Sequence, residues 1–264
     1  AQAVERSGAV VLYDFPELFD PLTFRILDYL RQFREVRIAS LVLQRSKDRE
    51  DPRIARNTKR MVHIQYQESV HCLAFALHLL AHLPGGWDAA LADGVNIQAH
   101  AQPYRPPNSD AYPYVVDGRC DYQLNIGPTR IEGCTDFTRG AAWAKRRVIR
   151  GTVDGRPFFI EADYLEGKKK LVINGQTQAD VTRTSSYVEV IRTLGRWRQT
   201  HSPAEIMTGP FPNPHFARLA YQLSSALWRS SWEQRTLALH SLAELLTFDA
   251  AFAAAIPHFP HYEK

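Results

Sequence analysis

Three histidines, His71, His78 and His82, recur within the apolar stretch ESVHCLAFALHLLAHL, residues 68–83. At 100° per residue they fall within about 40° of one line on a helix. Imidazole relays protons, titrates near neutrality and ligates metals. His78 and His82, one turn apart, could share a metal ion, whereas His71 is too far along the helix to join them unaided. A further ligand would have to come from His100 or Cys120, and no HExxH or CxxC pattern stands behind such a centre. The favoured reading is structural: neutral imidazoles hydrogen-bonded where a buried helix meets something polar, which could be a pocket wall. No metal and no cofactor is expected.

Cys134, in IEGCTDF, is the nucleophile to consider, with Asp136 two residues on. A cysteine nucleophile needs a nearby base and positive surroundings that lower its pKa. Spacing does not single out which of the ten histidines would be that base; His71 and His78 stand with Cys134 and Asp136 as the catalytic candidates. Burial as a small hydrophobe is the default for Cys134, as it is for Cys72 and Cys120.

Basic segments offer a different chemistry. RGAAWAKRRVIRG carries Arg139, Lys145, Arg146, Arg147 and Arg150 without an acid. LEGKKKLV adds Lys168, Lys169 and Lys170, and IRTLGRWRQTH adds Arg192, Arg196 and Arg198 beside Trp197. Cations interleaved with aromatics suit a phosphate backbone with stacked bases. The bland alternative is a solvated surface with protected sheet edges. Glu161 and Asp163 share a strand face, but lysine is missing from the place a restriction-type metal nuclease would need it. Arg56/His63 and Arg235/His240 match a loose arginine–histidine spacing that arises often by chance. There is no phosphate loop, no GxSxG elbow and no GxGxxG dinucleotide fingerprint.

The bulk numbers bound these readings. The 264 residues hold 32 lysines and arginines against 28 acids, a net charge of +4 that permits an anionic partner without demanding one. With 45% hydrophobic residues a large core is affordable. Three widely spaced cysteines argue against a disulfide framework. No signal peptide or membrane span is evident, so a cytoplasmic protein with no membrane partner is expected.

The elements that must position these residues are legible in outline. Residues 8–14 and 36–44 read as strands around a helix capped by Asp20-Pro21. A charged loop covers 45–60, Gly85-Gly86 stops the histidine helix, and 84–113 reads as a long irregular connection. Asp117-Gly118, Asp154-Gly155 and Asn174-Gly175 read as two-residue hairpin turns, with a further turn at Glu166-Gly167. After Ser186 the pattern is helical. Ser186/Glu189 and Ser202/Glu205 fit capping boxes, a break is expected near Ser230-Ser231, and a short helix ends the chain.

These elements predict an α+β fold: a central antiparallel meander sheet, an N-terminal strand–helix–strand unit and a helical C-terminal third. One domain over 1–264 is expected, with a possible division into 1–183 and 184–264. The expected function is a nucleic-acid-binding protein or accessory subunit using the basic surface, with a protein partner also possible. The alternative is a hydrolase or transferase with a pocket between helix 68–83, loop 84–113 and the Cys134 turn.

Overall fold

The computed structural model describes residues 9–49, 51, 63–105, 116–138, 144–178 and 185–253, with side chains described as far as 248. A 3-10 turn, Pro16–Phe19, leads into helix α1, Pro21–Leu30. Asp20 caps α1 as expected, its carboxylate accepting the Leu22 N–H at 3.1 Å. The histidine helix α2, Val70–Ala81, grows out of a π-helical turn, Gln65–Ser69. Helices α3 (Gly86–Leu91), α4 (Ser186–Thr200), α5 (Pro203–Thr208), α6 (Pro214–Glu233) and α7 (Leu242–Ala253) complete the helical set among the described residues.

Nine strands form one sheet in the order β8-β7-β6-β5-β1-β4-β3-β2-β9. Their ranges are β1 Val36–Ser46, β2 Val95–Tyr104, β3 Val116–Ile126, β4 Thr129–Asp136, β5 Lys145–Val153, β6 Arg156–Asp163, β7 Lys170–Ile173, β8 Gln176–Thr177 and β9 Leu237–Leu239. The antiparallel runs β2–β4 and β5–β8 do not join directly. Strand β1 lies between them, parallel to β4 and antiparallel to β5. The helices cover one face. Leu41, Leu43, Tyr122, Leu124, Ile131, Ile149 and Ile160 point into it, and all are buried. The other face carries Gln98, His100, Asp121, Gln123, Glu132, Arg146 and Glu161, none of them buried. Period-two alternation thus sorts each strand into a packed side and a polar side. Helix α6 buries Phe216, Leu219, Ala220, Leu223, Ala226 and Leu227, at the spacing of one helical stripe.

The mixed α+β architecture with a mostly antiparallel sheet stands. Asp154-Gly155 and Asn174-Gly175 make the expected turns, with φ of 47° and 74° and of 50° and 80°. Gly167, at φ 79°, turns β6 into β7. Other expectations fail. Residues 9–14 form no strand, so the described residues open turn–helix–strand. Asp117-Gly118 lies inside β3, because pairing with β2 on one side and β4 on the other holds that segment extended. The β3–β4 turn falls at Gly127 instead, with φ 52°. The stretch 84–113 is not an irregular loop: it holds α3 and β2, and residues 106–113 lie outside the described residues. Helix α6 runs unbroken through Ser230-Ser231, and Leu237–Leu239 beyond it is strand β9, bound to β2. The Ser202/Glu205 box forms, but Ser186 does not cap α4. Its hydroxyl donates to Asp20 at 2.6 Å, drawn away by a buried carboxylate. No helix among the described residues is long and apolar enough to cross a membrane.

Candidate functional site

Strand β1 runs past Leu43 into Gln44-Arg45-Ser46, and its alternation sends Arg45 to the helix-covered face. Strand β5 does the same with Arg147, the register partner of Leu43. Arg147 is fully buried, and Arg45 is 8% exposed. Two guanidinium groups on a packed face need anions, since an unpaired buried charge costs several kcal/mol. Glu17, from the 3-10 turn, meets both. Its Oε1 accepts from Arg45 Nη1, and its Oε2 accepts from Arg147 Nη2 at 2.5 Å. Glu68, from the π-helical turn, accepts from Arg45 Nε at 2.5 Å and from Lys47 Nζ at 2.8 Å. Arg147 also donates to the Gln44 and Arg146 carbonyls, at 2.8 and 3.0 Å.

The cluster sits where the parallel strands β1 and β4 end, at Ser46 and Asp136, and where β5 begins. His71 follows Glu68 by one turn and packs edge-on to Phe15 at 5.7 Å. Its Nδ1 is buried without a hydrogen-bond partner. Lys47 is the cluster's opening to solvent, with 26% of its side chain exposed.

The electrostatics follow from burial and pairing. Burial alone would raise Glu17 and Glu68. Arg147 and Arg45 override it at Glu17, and Arg45 and Lys47 override it at Glu68, so each carboxyl is held at about 2. Burial and then the Arg45 charge push His71 down to about 3, so its imidazole is neutral at pH 7. Burial, reinforced by Arg45, also lowers the Lys145 ammonium. A neutral imidazole and a weakened ammonium beside fixed ion pairs can exchange a proton with a hydroxyl without rearrangement of the charged frame.

The other predicted site residues part company. His78 is fully enclosed, with neither ring nitrogen hydrogen-bonded, and His82 donates from Nδ1 to the His78 carbonyl at 2.8 Å. Among the described residues no group of three or more His, Cys, Asp or Glu side chains could hold a metal ion. His71 and the pair His78/His82 therefore face different surroundings, although they share a stripe. Cys134 stands on the polar face of the sheet, away from α2, because its neighbour Thr135 takes the inward position and meets Ser69 at 2.7 Å. Among the described residues α2 and Cys134 thus lie on opposite faces of the sheet, so the expected pocket does not join them. Burial, then the hydrogen bond to Asp121, pushes the Cys134 thiol up to about 12, the wrong direction for a nucleophile. At pH 8 Cys134 should react with a disulfide reagent at least ~100-fold more slowly than free cysteine. A stopped-flow thiol titration giving the free-cysteine rate would contradict this environment. Asp136 accepts from the N–H and hydroxyl of Thr138, at 2.6 and 2.7 Å, and so closes its own turn.

The basic surface dissolves. Arg147 and Lys169 belong to the interior: Lys169 bonds Asp20 at 2.5 Å with 3% of its side chain exposed. Arg146 faces the opposite side and pairs with Glu161 at 2.7 Å. Arg150 lies over Phe159, Arg192 pairs with Glu189, and Arg196 lies over Phe24. Trp197 packs on Phe19 and Phe211, at 5.3 and 4.8 Å, rather than offering a free stacking face. Lys145 is partly buried beside the ion pairs. Lys168, Lys170 and Arg198 are exposed but lie on separate elements, and Arg139 falls outside the described residues. Residues that sequence reasoning missed, Glu17, Arg45, Lys47 and Glu68, left one signal. Arg45 has the parity of Leu41 and Leu43, and Arg147 that of Ile149, so each charge interrupts an apolar row.

No family model and no curated protein matches the chain in sequence. Solved structures do match in fold. A myo-inositol dehydrogenase from Corynebacterium glutamicum superposes with a TM-score of 0.59 at 14% identity, covering 87% of this chain and 64% of that one. An aldose-aldose oxidoreductase from Caulobacter crescentus, complexed with glycerol, gives 0.58 at 14% identity, with coverages of 90% and 66%. A super-repressor variant of Gal80p from Saccharomyces cerevisiae gives 0.60 at 11% identity, with coverages of 94% and 68%. The chain spans about two thirds of the length of these proteins. At these identities the likeness concerns the fold, which this chain shares with the matched part of each of the three proteins. None of these neighbours is named for binding nucleic acid, and the basic residues do not gather on one surface, which corrects the expectation of a nucleic-acid-binding protein.

Proposed function

We propose that this chain serves an oxidoreductase acting on a hydroxylated, sugar-like substrate, and that Lys47, His71 and Lys145 meet the reacting hydroxyl. The observation that carries the reading is the neutral His71 beside the Arg45–Glu68–Lys47 pairs at the carboxyl ends of the parallel strands. Two of the neighbours above are named for inositol and aldose oxidoreduction, which supports the substrate class. Gal80p shares the fold, so the fold by itself does not decide, and the site must.

Oxidising an alcohol removes a hydride from carbon and a proton from oxygen. In dehydrogenases of this chemical class a nicotinamide supplies the hydride acceptor. The 264 residues contain no GxGxxG fingerprint, so no residue of this chain is assigned to a dinucleotide. What the chain's own residues do concerns the proton. His71 accepts it at a ring nitrogen; Glu68 and Glu17 favour the imidazolium so formed, but burial and the Arg45 charge outweigh them, so the proton passes on to solvent past Lys47 rather than resting on the ring. Lys47 donates to Glu68 and stands ready to donate to a substrate oxygen.

Calorimetric titration of the chain with myo-inositol and with glucose tests this. Binding is expected in the millimolar range or tighter, weakened about tenfold by His71→Asn and by Lys47→Ala, a loss of ~1.4 kcal/mol each. Far-UV circular dichroism controls for folding. If neither sugar binds at about 10 mM, or if both variants bind like the parent, the reading is wrong.

A further inference from the structure

Two turns along α2 from His71, about 10 Å away, a separate cavity opens between α1, α2, α4 and α5. It measures about 720 Å³ and is lined by residues of all four helices and of the segment after α5. A volume of this size suits a small organic molecule. Three aromatic side chains form its walls: Phe24, Trp197 and Phe211, the last two in edge-to-face contact at 4.8 Å.

His78 lines the cavity, and the residue is 2% exposed with both ring nitrogens unpartnered. A buried polar side chain left so is unfavourable unless something in the cavity bonds to it. Its neighbour His82, ring to ring at 4.5 Å, turns Nδ1 to the His78 carbonyl rather than to a ring nitrogen. A metal ion is not the missing partner, since no third ligand stands near among the described residues.

Two guanidinium groups and one carboxylate line the cavity, and Arg31 also meets Asp28 at 3.3 Å in an exposed pair. Arg31 and Arg196 both line the cavity, and the Arg196 guanidinium lies 5.7 Å above the Phe24 ring. The lining acid, Glu205, is committed to the Ser202 N–H at 2.7 Å in its capping box. Aromatic walls, a cationic mouth and an unsatisfied imidazole at the base describe a flat apolar body that carries a negative group.

We propose that this cavity binds a small aromatic carboxylate, its ring held by Trp197 and Phe211 and its charge met by Arg31, Arg196 and His78. The site is distinct from the Arg45–Glu68 cluster. Its test therefore uses other residues and another ligand, and can fail while the sugar titration succeeds.

The probe is naphthoate, with neutral naphthamide as control, titrated into the full chain by calorimetry. A Kd of about 0.1–1 mM is expected for naphthoate, at least ~10-fold tighter than for the amide. His78→Phe should weaken naphthoate about tenfold. Should that variant fold poorly, Thr200→Trp serves instead. Thr200 is an exposed residue at the cavity wall, so a tryptophan there obstructs the cavity without touching the core, and binding should be lost. Naphthoate that does not bind, binds no better than the amide, or binds both variants like the parent overturns the proposal.

Discussion

Replacing Glu17 by alanine is expected to destabilise the chain by about 3–5 kcal/mol in urea unfolding monitored by circular dichroism. The cause is not the lost attraction but what remains. Arg147 keeps two carbonyl acceptors, yet its charge loses its carboxylate in a fully buried position. Arg45 keeps Glu68 alone. Both guanidinium groups are then under-compensated in a medium that solvates them poorly. Coupling Glu17→Leu with Arg147→Met should recover part of the loss, because an apolar pair of similar volume leaves no orphan charge. A loss below about 1 kcal/mol for Glu17→Ala would mean that solvent reaches the cluster and that the pairs behave like surface ones.

Acid should unfold the protein in two stages, both in the destabilising direction. His71 is held at about 3 by burial and by Arg45, and burial carries His78 well below the ordinary histidine value. Both imidazoles are therefore neutral in the folded chain, while the unfolded chain takes up protons below about 6.5. Their stabilising contribution is complete above that pH. It falls as pH drops toward 3, for His71 by something on the order of 3 kcal/mol by pH 4. The carboxylates join later. Glu17 and Glu68 sit at about 2 when folded, so their contribution is present above the ordinary glutamate value of about 4.5 and drains as pH falls toward 2. The melting temperature should thus decline from about pH 6.5 downward and steepen below about 4.5. His78→Leu should flatten the upper limb and leave in place the added steepening below about 4.5 that the carboxylates cause. A melting temperature constant between pH 7 and about 5 would show that the imidazoles are hydrated.

Where the sequence could be read, the information was local. Asp154-Gly155 and Asn174-Gly175 turn because their two central residues tolerate positive φ, whatever lies beyond. Asp20 and Ser202 cap the helices they precede because the bond spans two or three residues. Where reading failed, distant partners decided. Asp117-Gly118 carries the same signal as the other turns, but β2 and β4 pair across it. Leu237–Leu239 continues a helical pattern, but the free edge of β2 draws it into the sheet. Ser186 has a capping sequence, but Asp20 claims its hydroxyl across 166 positions.

The candidate site shows the same division more sharply. The run Lys145-Arg146-Arg147 reads as one basic patch, yet β5 splits it: Arg146 goes to a surface pair with Glu161, and Arg147 to a buried pair with Glu17, 130 residues away. By itself the sequence determined the apolar rows, the turns, the helix caps and the face of α2 on which the histidines stand. The tertiary structure alone decided which side of the sheet each charge faces, which acid it meets, and that one histidine of the stripe closes a charged cluster while another opens on an aromatic cavity. The reason is physical. Backbone dihedrals and side-chain periods are set by neighbours a few residues away, but the solvation and pairing of a charge depend on whatever the fold brings within about 4 Å of it.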